Sequence, residues 1–261
     1  MPYGSRVRCA AIHMLSPILR DGLRYHRNSG PSPTRIQWMV FILLGLFQQA
    51  WAGTTNLNWH WSNPQPFGNN ITALAYGGTN TAYVAACDRG QLYSSTDLVT
   101  WQSQYTGTRR ALRTALYVGT NLVVAGESGT ILFGPGADSL SLHDLGTTDW
   151  LEGLAASATQ IVAVGDNGAV YTSSNGTTWT RRNPGFTTWL RGVTYSSASR
   201  FFIAVGEAGL IATSPDGITW TKRTSNTTAN LNRVIWTGLA FIAVGEGGVS
   251  AVARAGRCRV T

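Results

Sequence analysis

The chain has 261 residues and a formal charge of +8, yet only 12% of its residues are charged, while 30 are glycine. Residues 1–52 hold six arginines against Asp21, which places +5 of the excess there, and Arg254, Arg257 and Arg259 near the C-terminus supply the other +3. Residues 53–253 are therefore close to neutral, which argues against a nucleic-acid binder, whose folded domain carries a basic stripe.

The first element in chain order reads as an export leader over residues 1–52. A basic segment precedes the apolar run Met39-Val-Phe-Ile-Leu-Leu-Gly-Leu-Phe47, and Ala50-Trp-Ala52 puts small residues at the two positions a signal peptidase reads. The run is shorter than the ~20 residues that span a bilayer. The expectation is cleavage and a secreted, periplasmic or cell-surface protein with no membrane span; a retained interfacial anchor is the alternative.

A repeat occupies residues 53–256. One phrase, an acid followed by any residue and then Gly, returns at Asp88–Gly90, Glu127–Gly129, Asp166–Gly168, Glu207–Gly209 and Glu246–Gly248. The spacings of Gly90, Gly129, Gly168, Gly209 and Gly248 are 39, 39, 41 and 39 residues. Around each phrase the grammar is constant. A short apolar strand such as Leu190–Tyr195 comes first, then a second such as Phe201–Val205. The acid-x-Gly turn follows, with Gly expected at the left-handed position of a three-residue hairpin loop. A third strand, a polar turn and a fourth strand opening near Trp220 complete the unit. Four short strands per ~40 residues predict an all-β fold, a β-propeller of about five four-stranded blades.

Three units carry a further phrase between their third and fourth strands: Ser95-Thr-Asp97 to Trp101, Ser173-Ser-Asn175 to Trp179, and Ser214-Pro-Asp216 to Trp220. These resemble Asp-box (BNR) repeats, and the whole unit is similar to the propellers of the photosystem II assembly and stability factor family. The resemblance implies a structural role for Asp97, Asn175 and Asp216 as caps of their own turns. It implies the same for Trp101, Trp179 and Trp220 as wedges between sheets. The second unit departs, since Gly134–Leu140 holds no such phrase.

The segment Trp59-His-Trp-Ser-Asn63-Pro64 repeats the phase of Trp179-Thr-Arg-Arg-Asn183-Pro184, whereas the last unit has Arg259 where its tryptophan would fall. The expectation is a ring closed by the N-terminal strand around Trp59, with 257–261 as a C-terminal tail. The rival is a larger, truncated propeller.

In a propeller the starts of the inner strands share one face with the acid turns. Thr72, Arg113, Glu152, Arg191 and Asn232 stand in phase there, with Arg233 one place off, and entering loops add Arg109, Arg110, Trp150, Arg182, Trp189 and Arg223. The resembled family places arginines at this position; Arg113 and Arg191 match it, and Thr72, Glu152 and Asn232 depart. One reading makes Arg113, Arg191 and Arg233 an anion-reading surface with Glu152 among them and Trp150 and Trp189 as aromatic anchors. The other pairs Arg113 and Arg191 with Glu152 and the turn acids to hold blades together.

The expected function is an exported, non-catalytic binding or assembly scaffold for a protein or anionic ligand. A sialidase-like hydrolase and a sugar-binding, lectin-like propeller are the alternatives. Tyr195 has no evident Glu partner for the former. Outside the leader the histidines are only His60 and His143, too few for a His-rich zinc site, so no catalytic, cofactor-binding or metal residue is assigned. Cys87 and Cys258 could pair after export, or Cys87 could be a buried small residue.

Overall fold

The computed structural model describes residues 69–79 and 81–253, with the backbone alone of 254 and 257–260. Contacts divide the chain into Met1–Trp61 and Ser62–Thr261, and every described residue belongs to the second unit. The leader and the Trp59 segment lie outside the described residues.

The described residues form five four-stranded antiparallel sheets, each built from strands consecutive in the chain. The first is β1 (Ile71–Gly77), β2 (Ala82–Cys87), β3 (Leu92–Ser95) and β4 (Gln102–Gln104). The second is β5 (Leu112–Val118), β6 (Asn121–Gly126), β7 (Thr130–Gly134) and β8 (Ser141–Asp144). The third is β9 (Leu151–Ala156), β10 (Ile161–Gly165), β11 (Val170–Ser173) and β12 (Thr180–Arg182). The fourth is β13 (Leu190–Ser196), β14 (Phe201–Gly206), β15 (Ile211–Ser214) and β16 (Thr221–Arg223). The fifth is β17 (Leu231–Trp236), β18 (Ala240–Gly245), β19 (Ser250–Arg254) and β20 (Arg257–Val260).

The second strand of each sheet is apolar, and in the second, third and fourth sheets it is covered on both faces. Successive residues point to opposite sides of a strand, so Val123 and Ala125 face the third sheet while Leu122 and Val124 face the first. Four apolar clusters result, one between each pair of sequential sheets. Trp220 is buried in the cluster between the third and fourth sheets, and Trp179 packs against the one between the second and third. The second sheet has no such tryptophan; Ala137 and Leu140, from the connection between β7 and β8, fill the corresponding cluster.

The acid-x-Gly turns differ in one respect from the sequence expectation. Both the middle residue and the glycine are left-handed, with φ of 58° at Arg89, 51° at Ser128, 52° at Asn167 and 53° at Ala208. The glycine is demanded by close approach as well as by φ. A Cβ on Gly168 would strike the carbonyl oxygen of Phe186, in the loop that enters the next sheet.

The fifth sheet corrects the expectation of a ring closed by the N-terminal strand. Its fourth position is held by β20, paired with β19 through Ala251↔Val260 to Arg254↔Arg257, so residues expected to be a tail form a strand. The reason is local. A third strand with an open edge presents unpaired N–H and C=O groups, and a segment two residues downstream reaches that edge at far lower loop-closure cost than one nearly 200 residues upstream. Cys87 is a buried free thiol. Burial, with Asp88 adding to it, pushes its pKa up to about 11.

Candidate functional site

Each inner strand begins with a β-bulge. The register against the second strand slips between Ile71 and Ala73, between Leu112 and Thr114, opposite Val164 and Gly165 in the third sheet, between Leu190 and Gly192, and between Leu231 and Arg233. The unpaired residues are thus Thr72, Arg113, Glu152, Arg191 and Asn232, the positions that the repeat puts in phase. A bulge leaves one residue out of the ladder and re-aims its side chain. Strand alternation alone gives no sign of it.

The five inner strands converge on a depression of about 320 Å³ lined by Thr72, Arg113, Glu152, Arg191 and Arg233 with neighbouring backbone. Arg233, one place beyond the bulge, lines it in the fifth sheet. Asn232 instead accepts a 3.2 Å hydrogen bond from Arg191 Nη1.

Each arginine is tethered. Arg113 Nη2 donates to Glu127 Oε1 at 2.9 Å, and its guanidinium lies 4.9 Å from the Trp150 ring centroid. Arg191 Nη2 donates to Glu207 Oε1 at 2.9 Å and stacks 5.1 Å from Trp189. Its Nη1 also lies 3.9 Å from Glu246 Oε1, in the fifth sheet. Arg233 Nη1 donates to the Arg191 carbonyl at 2.6 Å. The two tryptophans therefore serve as floors for guanidinium groups. A guanidinium offers five N–H donors, and the Nε groups of both Arg113 and Arg191 are buried with no acceptor among the described residues. The turn acids use only part of the donor capacity of these two side chains.

The acid of each turn also ties down the entering loop. The backbone N–H of Asp88, Glu127, Asp166, Glu207 and Glu246 donates to the carbonyl of Asn70, Ala111, Trp150, Trp189 and Asn230 respectively, at 2.9–3.1 Å. Asp166 Oδ1 accepts from the Trp150 N–H at 2.7 Å, and burial nonetheless raises its pKa. Glu152 has no ion pair within 4.0 Å among the described residues. Burial raises its pKa, and the fields of Arg113, Arg233 and Arg191 only partly offset that.

The remaining loop arginines do not join this group. Arg110 pairs with Asp144 at 2.7 Å, and Arg182 and Arg223 donate through Nε to the threonine hydroxyls of Thr172 and Thr213 beside the outer strands. Sequence reasoning missed a buried network in the third sheet, where Asp149 Oδ2 accepts from the Tyr171 hydroxyl at 2.7 Å and from Arg181 Nε at 3.2 Å. No periodic signal marks it, because it occurs in one sheet.

At the opposite turns the phrase residues act on their own backbone. Asp216 Oδ1 accepts from the N–H groups of Ile218 and Thr219, both at 2.8 Å, and Trp220 Nε1 donates to the Gly217 carbonyl at 3.0 Å. Asn175 and Asp97 repeat the pattern at 2.7–3.0 Å. The bonds from Thr100, Val99 and Ser95 lower the Asp97 pKa to about 2. Among the described residues no group of His, Cys, Asp and Glu is arranged to hold a metal ion, and no helix is long and apolar enough to cross a membrane.

No protein-family model and no curated protein sequence matches the chain. Solved structures do. YCF48 bound to D1 peptide aligns with a TM-score of 0.59 at 13% identity, over 76% of this chain and 69% of that one. YCF48 from Cyanidioschyzon merolae aligns with a TM-score of 0.58 at 14% identity, over 76% and 73%. The nidogen/laminin complex gives 0.55 at 11% identity, over 71% and 76%. At these identities the likeness is one of fold, and the fold is a propeller like that of the photosystem II assembly factor YCF48.

Proposed function

We propose that this chain is an exported, non-catalytic scaffold that binds a protein through the depression where its five inner strands meet, reading acidic groups with Arg113, Arg191 and Arg233. The observation that carries the reading is the unspent donor capacity of tethered guanidinium groups. Arg113 and Arg191 are held by Glu127 and Glu207, are floored by Trp150 and Trp189 and line the depression, and each keeps a buried Nε with no acceptor among the described residues. Guanidinium groups fixed in advance lose little entropy on pairing with a carboxylate. The peptide bound to the structurally similar YCF48 lends support to a peptide-like partner here. Export rests on the leader, with its apolar run Met39–Phe47 and Ala50-Trp-Ala52.

The hydrolase alternative is weakened by Tyr195. Its ring stacks on Phe202 with centroids 4.7 Å apart, packed against the cluster between the third and fourth sheets, and it does not line the depression. That placement suits a core residue better than a nucleophile.

Peptides of graded net charge, titrated against the purified chain by calorimetry, test the proposal. Acidic peptides bind, and Arg191→Gln with Arg233→Gln weakens them at least about tenfold while the melting temperature is retained. Equal affinity in the double variant, turnover of a fluorogenic sialoside, or binding confined to a glycan array would each overturn the reading.

A further inference from the structure

Among the described side chains that line the depression Glu152 is the one carboxylate, and none of them forms an ion pair with it. It stands at the bulge of the third sheet, between the sheets that carry Arg113 and Arg191 at theirs. Glycine follows the bulged residue in the third and fourth sheets, and both glycines mark a close approach of inner strands. A Cβ on Gly153 would lie 3.1 Å from the Val193 nitrogen and 3.3 Å from the Gly192 Cα. One on Gly192 would lie 3.3 Å from the Arg233 Cα. The strands β9, β13 and β17 therefore run nearly in backbone contact, and Glu152, Arg191 and Arg233 line one depression from three adjoining strands.

The charges of this group balance. Arg113 is held by Glu127 and Arg191 by Glu207. Arg233 donates to the backbone carbonyls of Arg191 and Asn232 and to no acid among the described residues. Three guanidinium groups thus stand with three carboxylates, and the set is neutral while Glu152 is ionised. A proton on Glu152 leaves it with a net positive charge. The other surroundings do not change this balance in favour of an anion. The strands β6 and β10, which also pack against β9, carry no titratable side chain. From β1, Thr72 contributes only a hydroxyl, which donates to the Ala86 and Leu112 carbonyls. Asp149, in the loop entering β9, accepts from Tyr171 and Arg181. Asp166 and Glu246, the latter 3.9 Å from Arg191 Nη1, add negative charge. An acidic ligand therefore meets a resident carboxylate, and carboxylates that share a site favour the protonation of one of them. Burial already biases Glu152 toward its protonated form, against the pull of Arg113, Arg233 and Arg191.

We propose that Glu152 gates the depression by taking up a proton: an acidic segment binds together with one proton from solvent, which converts the Glu152 carboxylate from a competitor for the arginines into a hydrogen-bond donor. The proposal rests on the acidic-ligand reading above and adds its regulation. Coupling between two ligands is reciprocal, so affinity for the acid rises as pH falls, by at most about tenfold per pH unit for a single proton. The rise levels off once the free site is itself protonated. Calorimetry tests this on the full chain with an acetylated, amidated aspartate-rich peptide. Titrations near pH 6 in buffers of different ionisation enthalpy count the protons bound per peptide, and titrations from pH 7.5 to pH 5.5 give the affinity profile. The wild-type chain takes up a fraction of a proton, and Glu152→Gln takes up less. At pH 7.5 Glu152→Gln binds the peptide at least about threefold tighter than wild type, and the advantage shrinks toward pH 5.5. Titration of the peptide and of His143, which does not line the depression, is common to both proteins and cancels in the comparison. Binding by the wild type without proton uptake overturns the proposal with no reference to a variant. Equal proton counts in the two proteins overturn it as well, as does weaker binding by Glu152→Gln at pH 7.5, which would mean that the carboxylate orients the arginines. Each of these leaves the acidic-ligand reading standing, whereas no binding by either protein at any pH removes both.

Discussion

The two ends of each sheet obey different rules. At the outer turns the first, third and fourth sheets repeat one solution: Asp97, Asn175 and Asp216 each take two backbone N–H groups, and the tryptophan four residues on donates back to the turn. At the inner end the bulged residue is Thr, Arg, Glu, Arg and Asn in the five sheets. The backbone there is as regular as at the rim, but the side chains are not. Position in the repeat dictates the residue where the side chain must satisfy its own turn. It dictates only the bulge where the side chain faces the axis, and that freedom is where chemical identity can be varied without cost to the sheet.

The strongest way to break this contrast is to remove the regularity of the inner backbone. Gly168→Ala puts a Cβ into the Phe186 carbonyl at a residue with φ of 63°, whereas Gly248→Ala at φ of 76° meets nothing in the described structure. The first costs about 3 kcal/mol or more, combining strain and displaced backbone. The second costs about 1 kcal/mol from its left-handed conformation alone. Urea unfolding of the two variants reads the difference, and equal small losses would mean that the close approach at Gly168 is not a constraint.

A smaller effect probes the rim. Asp216→Ala strips the acceptor from Ile218 and Thr219 and loosens Trp220 against the core, at a cost of about 1–2 kcal/mol because water replaces part of the bonding. Asp216→Asn keeps the acceptor, as Asn175 does in the third sheet, and retains most of the stability. If the two variants unfold alike, the cap acts through charge rather than geometry.

How much of this was legible without coordinates follows from the same contrast. The five acid-x-Gly phrases, spaced 39, 39, 41 and 39 residues apart, mark every turn between second and third strands, because the glycine answers to a steric demand that any sequence must meet. Arg113, Glu152 and Arg191 could be placed at one end of the sheets by counting from those turns. The bulges could not, since Leu112-Arg113-Thr114 reads as an ordinary strand and only the slip of Thr114 onto Ala125 reveals that Arg113 stands outside the ladder. In the fifth sheet Arg233, out of phase by count, lines the depression while Asn232 accepts from Arg191, an exchange that the bulge, common to all five sheets, does not dictate. β20 was illegible for a different reason: edge pairing is a backbone event, and no side chain in Arg257–Val260 announces it.

The finest test concerns Glu152, the one carboxylate among the five bulged residues. Burial raises its pKa, Arg113, Arg233 and Arg191 pull the other way, and Asp166 adds to the rise. A carboxylate whose folded pKa lies above its unfolded one binds its proton more tightly when folded. Its contribution is thus full below the unfolded value and is lost as pH climbs through the raised one. At neutral pH the ionised Glu152 is a net burden, so Glu152→Gln raises the melting temperature there by no more than about 3 °C, and the gain fades as pH falls into the ordinary carboxylate range. Asp97, whose pKa near 2 lies below the usual value, behaves oppositely: its contribution persists above pH 4 and disappears as pH drops toward 2. A thermal-shift series from pH 7 down to pH 2 on the Glu152→Gln and Asp97→Asn variants separates the two. A loss of stability in Glu152→Gln at neutral pH that fades on acidification would mean that the three arginines, not burial, govern that carboxylate, and would make Glu152 a strut among the bulged residues instead of their one tunable position.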